Sequence, residues 1–440
     1  MGARQLAEEI CKRLRDAGQQ ALFVGGCVRD MMLGREPADY DVATDATPER
    51  VQELFPGSIT VGAKFGVILV VGYEEDVEVA TFRSDVGYTD GRHPEKVIYT
   101  RSAKEDVARR DFTINGLLYD PEKKEVLDYV GARTDIEARL VRAIGDPRTR
   151  FEEDQLRMVR AVRFAARLNF TIEAATMKAI RELAPKIHSV SSERLNEELT
   201  KILIEGAARR GFELLDETGL LVELLPEIAK MKGVEQPPQY HPEGDVWIHT
   251  RMVLEKLPGG VSPTLAWGAL LHDVGKPPTF AAPKDPTDRI RFDGHAEVGT
   301  QLAHEISRRL RFSNEDGERI EALVANHMRF KDVPNMRAST LKRFVRMPHF
   351  EEHLELHRID CLSSNRNLGI YQQVRDFLDQ TPPEDVRPPR LLTGDDLKDM
   401  GFAPGPRFKE ILQALEDAQL EGQIRTRADA LRLVQERFPT

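Results

Sequence analysis

The sequence predicts an α+β protein: a head built on a mixed sheet, then an all-α body, an all-α histidine-rich domain and a small helical tail. Three observations predict it. Short apolar runs alternate with short helical stretches over the first ~140 residues only. From about Asp146 to Lys232 apolar residues recur at spacings of three and four, the period of a packed helix. Proline- and glycine-rich breaks at KGVEQPPQYHPEGD (232–245) and DQTPPEDVRPPR (379–390) then set off two further helical stretches. The expected domains are 1–145, 146–235, 236–378 and 388–440.

MGARQLAEEICKRL alternates charged and apolar residues, so it reads as a helix and not as a signal peptide. Ala21–Val24 reads as a brief strand, CVRDMMLG as a short helix and Tyr40–Thr44 as a second strand. Thr47-Pro48 starts a helix, with Thr as N-cap and Pro at the first position. FGVILVVGY and EDVEVATFR read as a hairpin, with Val77 and Val79 on one face and Glu78 and Ala80 on the other. LLTGDDLKDMGFAPGPRFKEILQALEDAQLEG reads as two short helices around a Gly/Pro turn.

Bulk properties narrow the class. At 440 residues, 40% hydrophobic and 31% charged, the chain has the composition of a soluble globular protein. No run approaches the roughly 18 apolar residues of a membrane span. Three widely spaced cysteines predict a reducing, cytoplasmic setting without a disulfide framework. The net charge of −10 does not advertise nucleic-acid binding, although a local basic patch would suffice for it.

The chemistry-bearing residues fall into two groups. In the first, Gly25-Gly26 sits between a strand and a helix, where backbone N–H groups can approach a phosphate, or where the chain simply turns. Arg29 follows in the first helical turn. Asp39 and Asp41, at i and i+2 on an apparent strand, share a face and suit Mg²⁺, with Glu78 as a third carboxylate; an acidic strand end is the plainer alternative. ARRDFTINGLLYD (108–120) places Arg109, Arg110, Asp111 and Asn115 where arginines can hold a triphosphate and Asp and Asn can read ribose; it also reads as a charged helix start. FEEDQLRMVRAVRFAARLNF (151–170) sets Asp154, Arg157, Arg160, Arg163 and Arg167 on one polar helix face, opposite Leu156, Val159, Val162 and Phe164-Ala165-Ala166; taken alone, such a stripe reads as a solvated face.

Together these motifs resemble the class II tRNA nucleotidyltransferases (the CCA-adding enzyme and poly(A) polymerase family) of the DNA polymerase β superfamily. LFVGGCVRDMMLG…DYDVAT is similar to their glycine and metal motif, RRDFTIN to their ribose motif, EEDQLRMVRAVRFAARL to their nucleotide-selecting helix, and SSERLNEELTKIL (191–203) to the helix after it. The resemblance runs from about residue 20 to 230. It implies a polymerase-β-like head that adds C and A nucleotides from CTP and ATP to the tRNA 3′ end without a template. By position, Gly26 and Arg29 would bind phosphate, and Asp39 and Asp41 would hold two Mg²⁺. Arg110, Arg160 and Arg163 would complete the phosphate grip, and Asp154 and Arg157 would read the base. FRSDVGYTDGRHPEKVIYT (82–100) matches a loop that CC-only enzymes lack, and TVGAKFGVILV (60–70) lacks the basic pair of the poly(A) polymerases. Full CCA addition and A-only addition stay open.

The second group is HPEGDVWIHT (241–250), LLHDVGKP (270–277), GHAEVG (294–299), NHM (326–328) and HRIDCL (357–362). Imidazoles and carboxylates are ordinary ligands of divalent metals. The series resembles the HD phosphohydrolase superfamily. That resemblance implies one metal on His249, His272, Asp273 and Asp360 and a second on His295 and His327, the metal being manganese, nickel, magnesium or iron. It also implies hydrolysis of a phosphoester such as a 2′,3′-cyclic or terminal phosphate of a damaged tRNA end. A degenerate domain that only positions tRNA is the structural alternative. A hydrolase with a merely RNA-binding head is the reading from a different class.

Overall fold

The computed structural model describes residues 2–61, 66–72, 75–88, 94–239, 241–285 and 287–439. Two compact units divide the chain. The first is Met1–Ala229 with Pro258–Gly260 and Arg309–Arg311; the second is Lys230–Leu257, Val261–Arg308 and Phe312–Thr440.

In the first unit, α1 (Ala3–Asp16) buries Ile10, Cys11 and Leu14 along one stripe. The strands are β1 (Ala21–Val24), β2 (Asp41–Thr44), β3 (Ile59–Thr60), β4 (Val67–Val70), β5 (Val77–Thr81), β6 (Arg83–Tyr88), β7 (Pro94–Tyr99), β8 (Leu117–Asp120) and β9 (Glu125–Asp128). Seven of them form one sheet in the order β3-β4-β5-β2-β1-β8-β9, and β6 and β7 pair separately. All four residues of β1 are buried, as expected of an apolar run flanked by β2 and β8. The sheet is mixed because β2 runs parallel to β5, while β4 and β5 form the expected antiparallel hairpin. Burial alternates along β5, with Val77 and Val79 in and Glu78 out. The second strand starts at Asp41, so Tyr40 precedes it.

Helices α2 (Gly26–Met32), α3 (Pro48–Leu54), α4 (Ala103–Ala108) and α5 (Ala132–Glu137) decorate the sheet. Thr47 caps α3 as expected, accepting from Arg50 N with Pro48 at the first position. RRDFTIN is not a helix start. It follows the end of α4 and turns through a 3-10 segment, Thr113–Asn115, into β8, because Phe112 is extended and wholly buried. The body comprises α6 (Pro147–Glu153), α7 (Leu156–Leu168), α8 (Ala174–Leu183), α9 (Ser192–Ile204), α10 (Ala208–Glu217), α11 (Leu220–Leu224) and α12 (Pro226–Ala229).

The second unit is helical: α13 (Val246–Glu255), α14 (Pro263–Leu271), α15 (His295–Arg309), α16 (Asn314–Asn326), α17 (Ala338–Val345), α18 (Phe350–Ser363), α19 (Gly369–Gln380), α20 (Pro383–Val386), α21 (Gly394–Asp399), α22 (Pro406–Leu420) and α23 (Arg427–Arg437). Every residue of α14 from Thr264 to Leu271 is buried, so this helix runs through the core. Leu397, Ile411, Ala430 and Val434 centre a separate apolar core among the last three helices. Two of these, α21 and α22, flank the GFAPG turn as the sequence predicts. Among the described residues, no helix is long and apolar enough to cross a membrane. Parts of two segments bearing on product choice, 62–65 in TVGAKFGVILV and 89–93 in FRSDVGYTDGRHPEKVIYT, lie outside the described residues.

Candidate active sites

Strand register brings the first group together. Asp41 pairs with Val24, the residue before Gly25. Val42 pairs with Val79 in the parallel ladder, which sets Glu78 level with Asp41. Asp39 lies two residues upstream, ahead of the strand. Burial, then Asp39 and Glu78, push the Asp41 carboxyl up to about 6, with Arg110 opposing. A divalent cation relieves that crowding, so these three carboxylates fit a metal.

Gly25 takes φ +77, a conformation L side chains rarely adopt. Its N–H donates to Leu117 O, so its own amide is engaged within the sheet and its contribution is the turn. Two guanidiniums flank the turn. Arg110 Nη1 lies 3.6 Å from where a Cβ on Gly25 would sit, and Arg29 Nη2 lies 3.6 Å from the corresponding point on Gly26.

A cleft of about 670 Å³ joins Gly25, Gly26, Arg29, Asp39 and Asp41 to Arg110, Asp111, Asn115, Asp154, Arg157, Arg160 and Arg163. Glu78 borders a smaller adjoining cleft with Asp41, Arg109 and Arg110. A continuous polar network orders the arginine wall. Arg29 donates to Asn115 Oδ1 at 2.7 Å and Asn115 to Asp111 at 3.2 Å. Asp111 accepts from Arg160 at 2.8 Å, and its carboxyl is held below its ordinary range by Arg160 and Asn115 despite burial. Glu198 accepts from Arg160 at 3.3 Å and from Arg163 at 2.7 Å, and Arg163 reaches Glu205 at 3.1 Å. Phe164 sits under the guanidiniums of Arg29, Arg160 and Arg163 at 5.5, 5.3 and 4.4 Å.

Two expectations about 151–170 need correcting. Asp154 is not on the helix with the arginines. The helix breaks there, with Asp154 extended, because its carboxylate accepts from Leu156 N and is gripped by Arg194 at 2.7 and 3.2 Å. Nor is the arginine stripe a solvated face: Arg163 is buried against Glu198. Arg157 pairs with Glu153 at 2.8 Å, not with Asp154. The spacing sets Phe164 opposite the arginines, yet its ring lies under three of them, and Arg194, Glu198, Glu205 and Asp106 are site residues that no local pattern marks. Asp106 anchors Arg109 and Arg110 at 2.6 and 2.9 Å. Glu198→Ala is expected to cost about 1.5–3 kcal/mol in urea unfolding, because buried Arg163 loses its shorter carboxylate contact and keeps only that to Glu205.

In the second unit all six expected ligands converge. His249, His272 and Asp360 form one trio, and Asp273, His295 and His327 another. Asp273 joins them: Oδ2 faces His272 Nε2 at 3.3 Å and His249 Nε2 at 3.8 Å, while Oδ1 faces His295 and His327 at 3.8 Å each. His249 Nε2 lies 3.1 Å from Asp360. Three rings are fixed from behind, with Nδ1 of His272, His295 and His327 against the carbonyls of Ala269, Phe292 and Val324 at 2.9, 2.8 and 2.7 Å. A carbonyl only accepts, so each Nδ1 carries a proton, and a neutral ring there presents the Nε2 lone pair inward. His295 and His327 then have Nε2 atoms 3.2 Å apart with no proton between them unless one is charged. Burial pushes the His327 ring down to about 4, with His272 adding to the effect, and lowers His295, so both stay neutral at pH 7. Converging lone pairs and a central carboxylate fit a divalent transition metal. Gly275 permits the approach: a Cβ there would stand 2.0 Å from His295 O. Lys276 Nζ lies 2.7 Å from Asp273. Beside the cluster, a cleft of about 660 Å³ is lined by Lys276, Arg289, Arg291, His295, Lys331 and Asp360, among others.

The sequence matches the Poly A polymerase head domain family over residues 21–142, the family described as the probable RNA and SrmB-binding site of polymerase A over 169–232, and the HD domain family over 245–364. The CCA-adding enzyme of Pediococcus pentosaceus is 39% identical over 277 residues, covering 61% of this chain and 69% of that protein. The chain belongs to the CCA-adding enzyme family. It spans about half the length of other curated relatives it matches: the CCA-adding enzyme of Bacillus licheniformis is 44% identical over 215 residues, 49% of this chain and 54% of that one. The crystal structure of the Bacillus stearothermophilus CCA-adding enzyme in complex with CTP superposes with a TM-score of 0.74 at 27% identity, covering 99% of each chain. The stretch carrying Asp154, Arg157, Arg160 and Arg163 falls between the head and RNA-binding matches to this family.

Proposed function

We propose that this chain adds C and A nucleotides from CTP and ATP to the 3′ end of tRNA, without a template. One observation carries the reading: Asp39 and Asp41 open onto the same cleft as the ordered arginine wall and the Asp154/Arg157 region. Arg29 and Arg110, on either side of the glycine turn, hold the triphosphate. Arg160 and Arg163, locked by Asp111 and Glu198, supply positive charge that needs no rearrangement when substrate arrives. Asp39 and Asp41, with Glu78 beside them, hold Mg²⁺, which when bound stabilises the attacking and leaving oxygens of the in-line displacement. The tRNA 3′ hydroxyl attacks and pyrophosphate leaves.

Asp154 accepts from the exocyclic amine that C and A carry and that U and G replace with a carbonyl oxygen. Arg157 donates to the ring acceptors. Arg194 holds the Asp154 carboxylate in place. Asp154→Ala is expected to lower discrimination against UTP and GTP by about 1–3 kcal/mol while addition itself persists. Unchanged selectivity in a four-nucleotide incorporation assay would remove this assignment. The test of the whole reading is incorporation of labelled CTP and ATP into tRNA lacking its 3′ end. Label from ATP alone indicates A-only addition, a long A tract a poly(A) polymerase, and no label an RNA-binding head.

The gathering of His249, His272, Asp273, His295, His327 and Asp360 favours a second activity, metal-dependent phosphoester hydrolysis. A metal bound there activates water and polarises the phosphate; Lys276, Arg289, Arg291 and Lys331 line the cleft where the phosphate sits. The four segments 1–145, 146–235, 236–378 and 388–440 are read as head, body, hydrolase-type domain and tail, with a cytoplasmic setting.

A further inference from the structure

His249 is the exception among the four converging rings. Its Nδ1 is held not by a backbone carbonyl but by a side chain, Glu243 Oε1, at 2.8 Å. The same oxygen lies 2.8 Å from His241 Nδ1, and the two rings meet edge to face at 4.9 Å. The other oxygen, Glu243 Oε2, is buried without a hydrogen-bond partner. The two ring contacts favour the ionised carboxylate, while the unpartnered buried Oε2 is the kind of polar atom that calls for a reason. Both residues precede residue 245, where the HD family match begins.

We propose that Glu243 is the positioning residue of the second site. An ionised carboxylate only accepts, so it fixes the proton of each ring on Nδ1. With its Nδ1 proton held there, His249 offers Nε2, 3.1 Å from Asp360, as the ring atom that takes the metal, and His241 lines the same cleft. Without the carboxylate, His249 keeps its place on α13 but loses the contact that sets its ring orientation and tautomer. This inference rests on the reading of the cluster as a metal site.

The test is calorimetric titration of Mn²⁺ into the full-length chain carrying Asp39→Asn/Asp41→Asn, which silences the head carboxylates. Adding Glu243→Ala is expected to weaken binding about 10–100-fold. Glu243→Gln, which keeps one neutral acceptor, recovers part of the loss and serves if the alanine variant does not fold. His241→Phe leaves the His249 anchor in place and leaves the affinity unchanged. Equal affinity in the parent and Glu243→Ala overturns the inference, as does a His241→Phe loss as large as that of Glu243→Ala. No Mn²⁺ binding by the parent, or binding that survives His272→Ala/Asp273→Ala, overturns the metal reading itself.

Discussion

Asp41→Asn should abolish nucleotide incorporation and, in the absence of divalent metal, make the protein more stable. Both follow from one feature. Asp41 enters its strand level with Glu78 and two residues after Asp39, and burial with these two charges pushes its carboxyl up to about 6. Between the ordinary carboxylate range and about pH 6 the folded chain holds a proton that the unfolded chain releases. Stability therefore falls as pH rises through that window, and the loss persists above it. Asparagine has no charge to crowd, so the metal-free variant should melt higher at pH 7. Mg²⁺ should raise the melting temperature of the wild type, because it binds only the folded form, and should barely shift that of the variant. Incorporation should fall by about a thousandfold or more, the equivalent of roughly 4 kcal/mol of transition-state stabilisation. A variant that melts lower than the wild type without metal, or that still adds nucleotides at a tenth of its rate, would remove Asp41 from this role.

The parts of the head legible in the sequence are those set by local pattern. Four apolar residues in a row gave β1, alternation gave the β4–β5 hairpin, and Thr47-Pro48 gave the start of α3. What stayed hidden depends on partners far apart in sequence. Arg194 reaches Asp154 across 40 residues and Arg160 reaches Asp111 across 49. No periodicity announces such pairs, so the arginine row read as one solvated face when it is a wall locked by Glu198, Glu205 and Asp111. The break at Asp154 was obscured for a related reason: GDPRTRFEED and LRMVRAVRFAARL each have helical spacing, and only the side chain's own bond to Leu156 N and the Arg194 grip part them. The histidine cluster was legible residue by residue because ligand types are rare and specific. Its support was not: Glu243 lies in a stretch whose prolines and glycines mark a joint between domains and hide a side chain that holds a ring.

His272→Ala/Asp273→Ala should empty the second site of metal and end phosphoester hydrolysis there. Asp273 is the hinge of the expectation, since each of its oxygens faces a different pair of imidazoles. Its loss therefore removes a donor from both trios at once, and His272 takes another from the first. Hydrolysis of a 2′,3′-cyclic nucleotide should drop by about a thousandfold or more, with metal content by elemental analysis falling in parallel. The double alanine carries a second effect that must be separated from the first. Asp273 is also the ion-pair partner of the buried Lys276, and without it that ammonium keeps Gln236 Oε1 at 2.6 Å and the Phe292 ring at 5.5 Å but no described carboxylate contact. Uncompensated buried charge costs about 3–5 kcal/mol, enough to lower activity through folding alone. Asp273→Asn distinguishes the two. The amide keeps the shape and leaves Lys276 an acceptor, yet it is a far poorer metal ligand than a carboxylate. A folded, metal-poor and inactive Asp273→Asn protein places the loss on the site, whereas wild-type hydrolysis in both variants means that these six residues are not a hydrolytic centre.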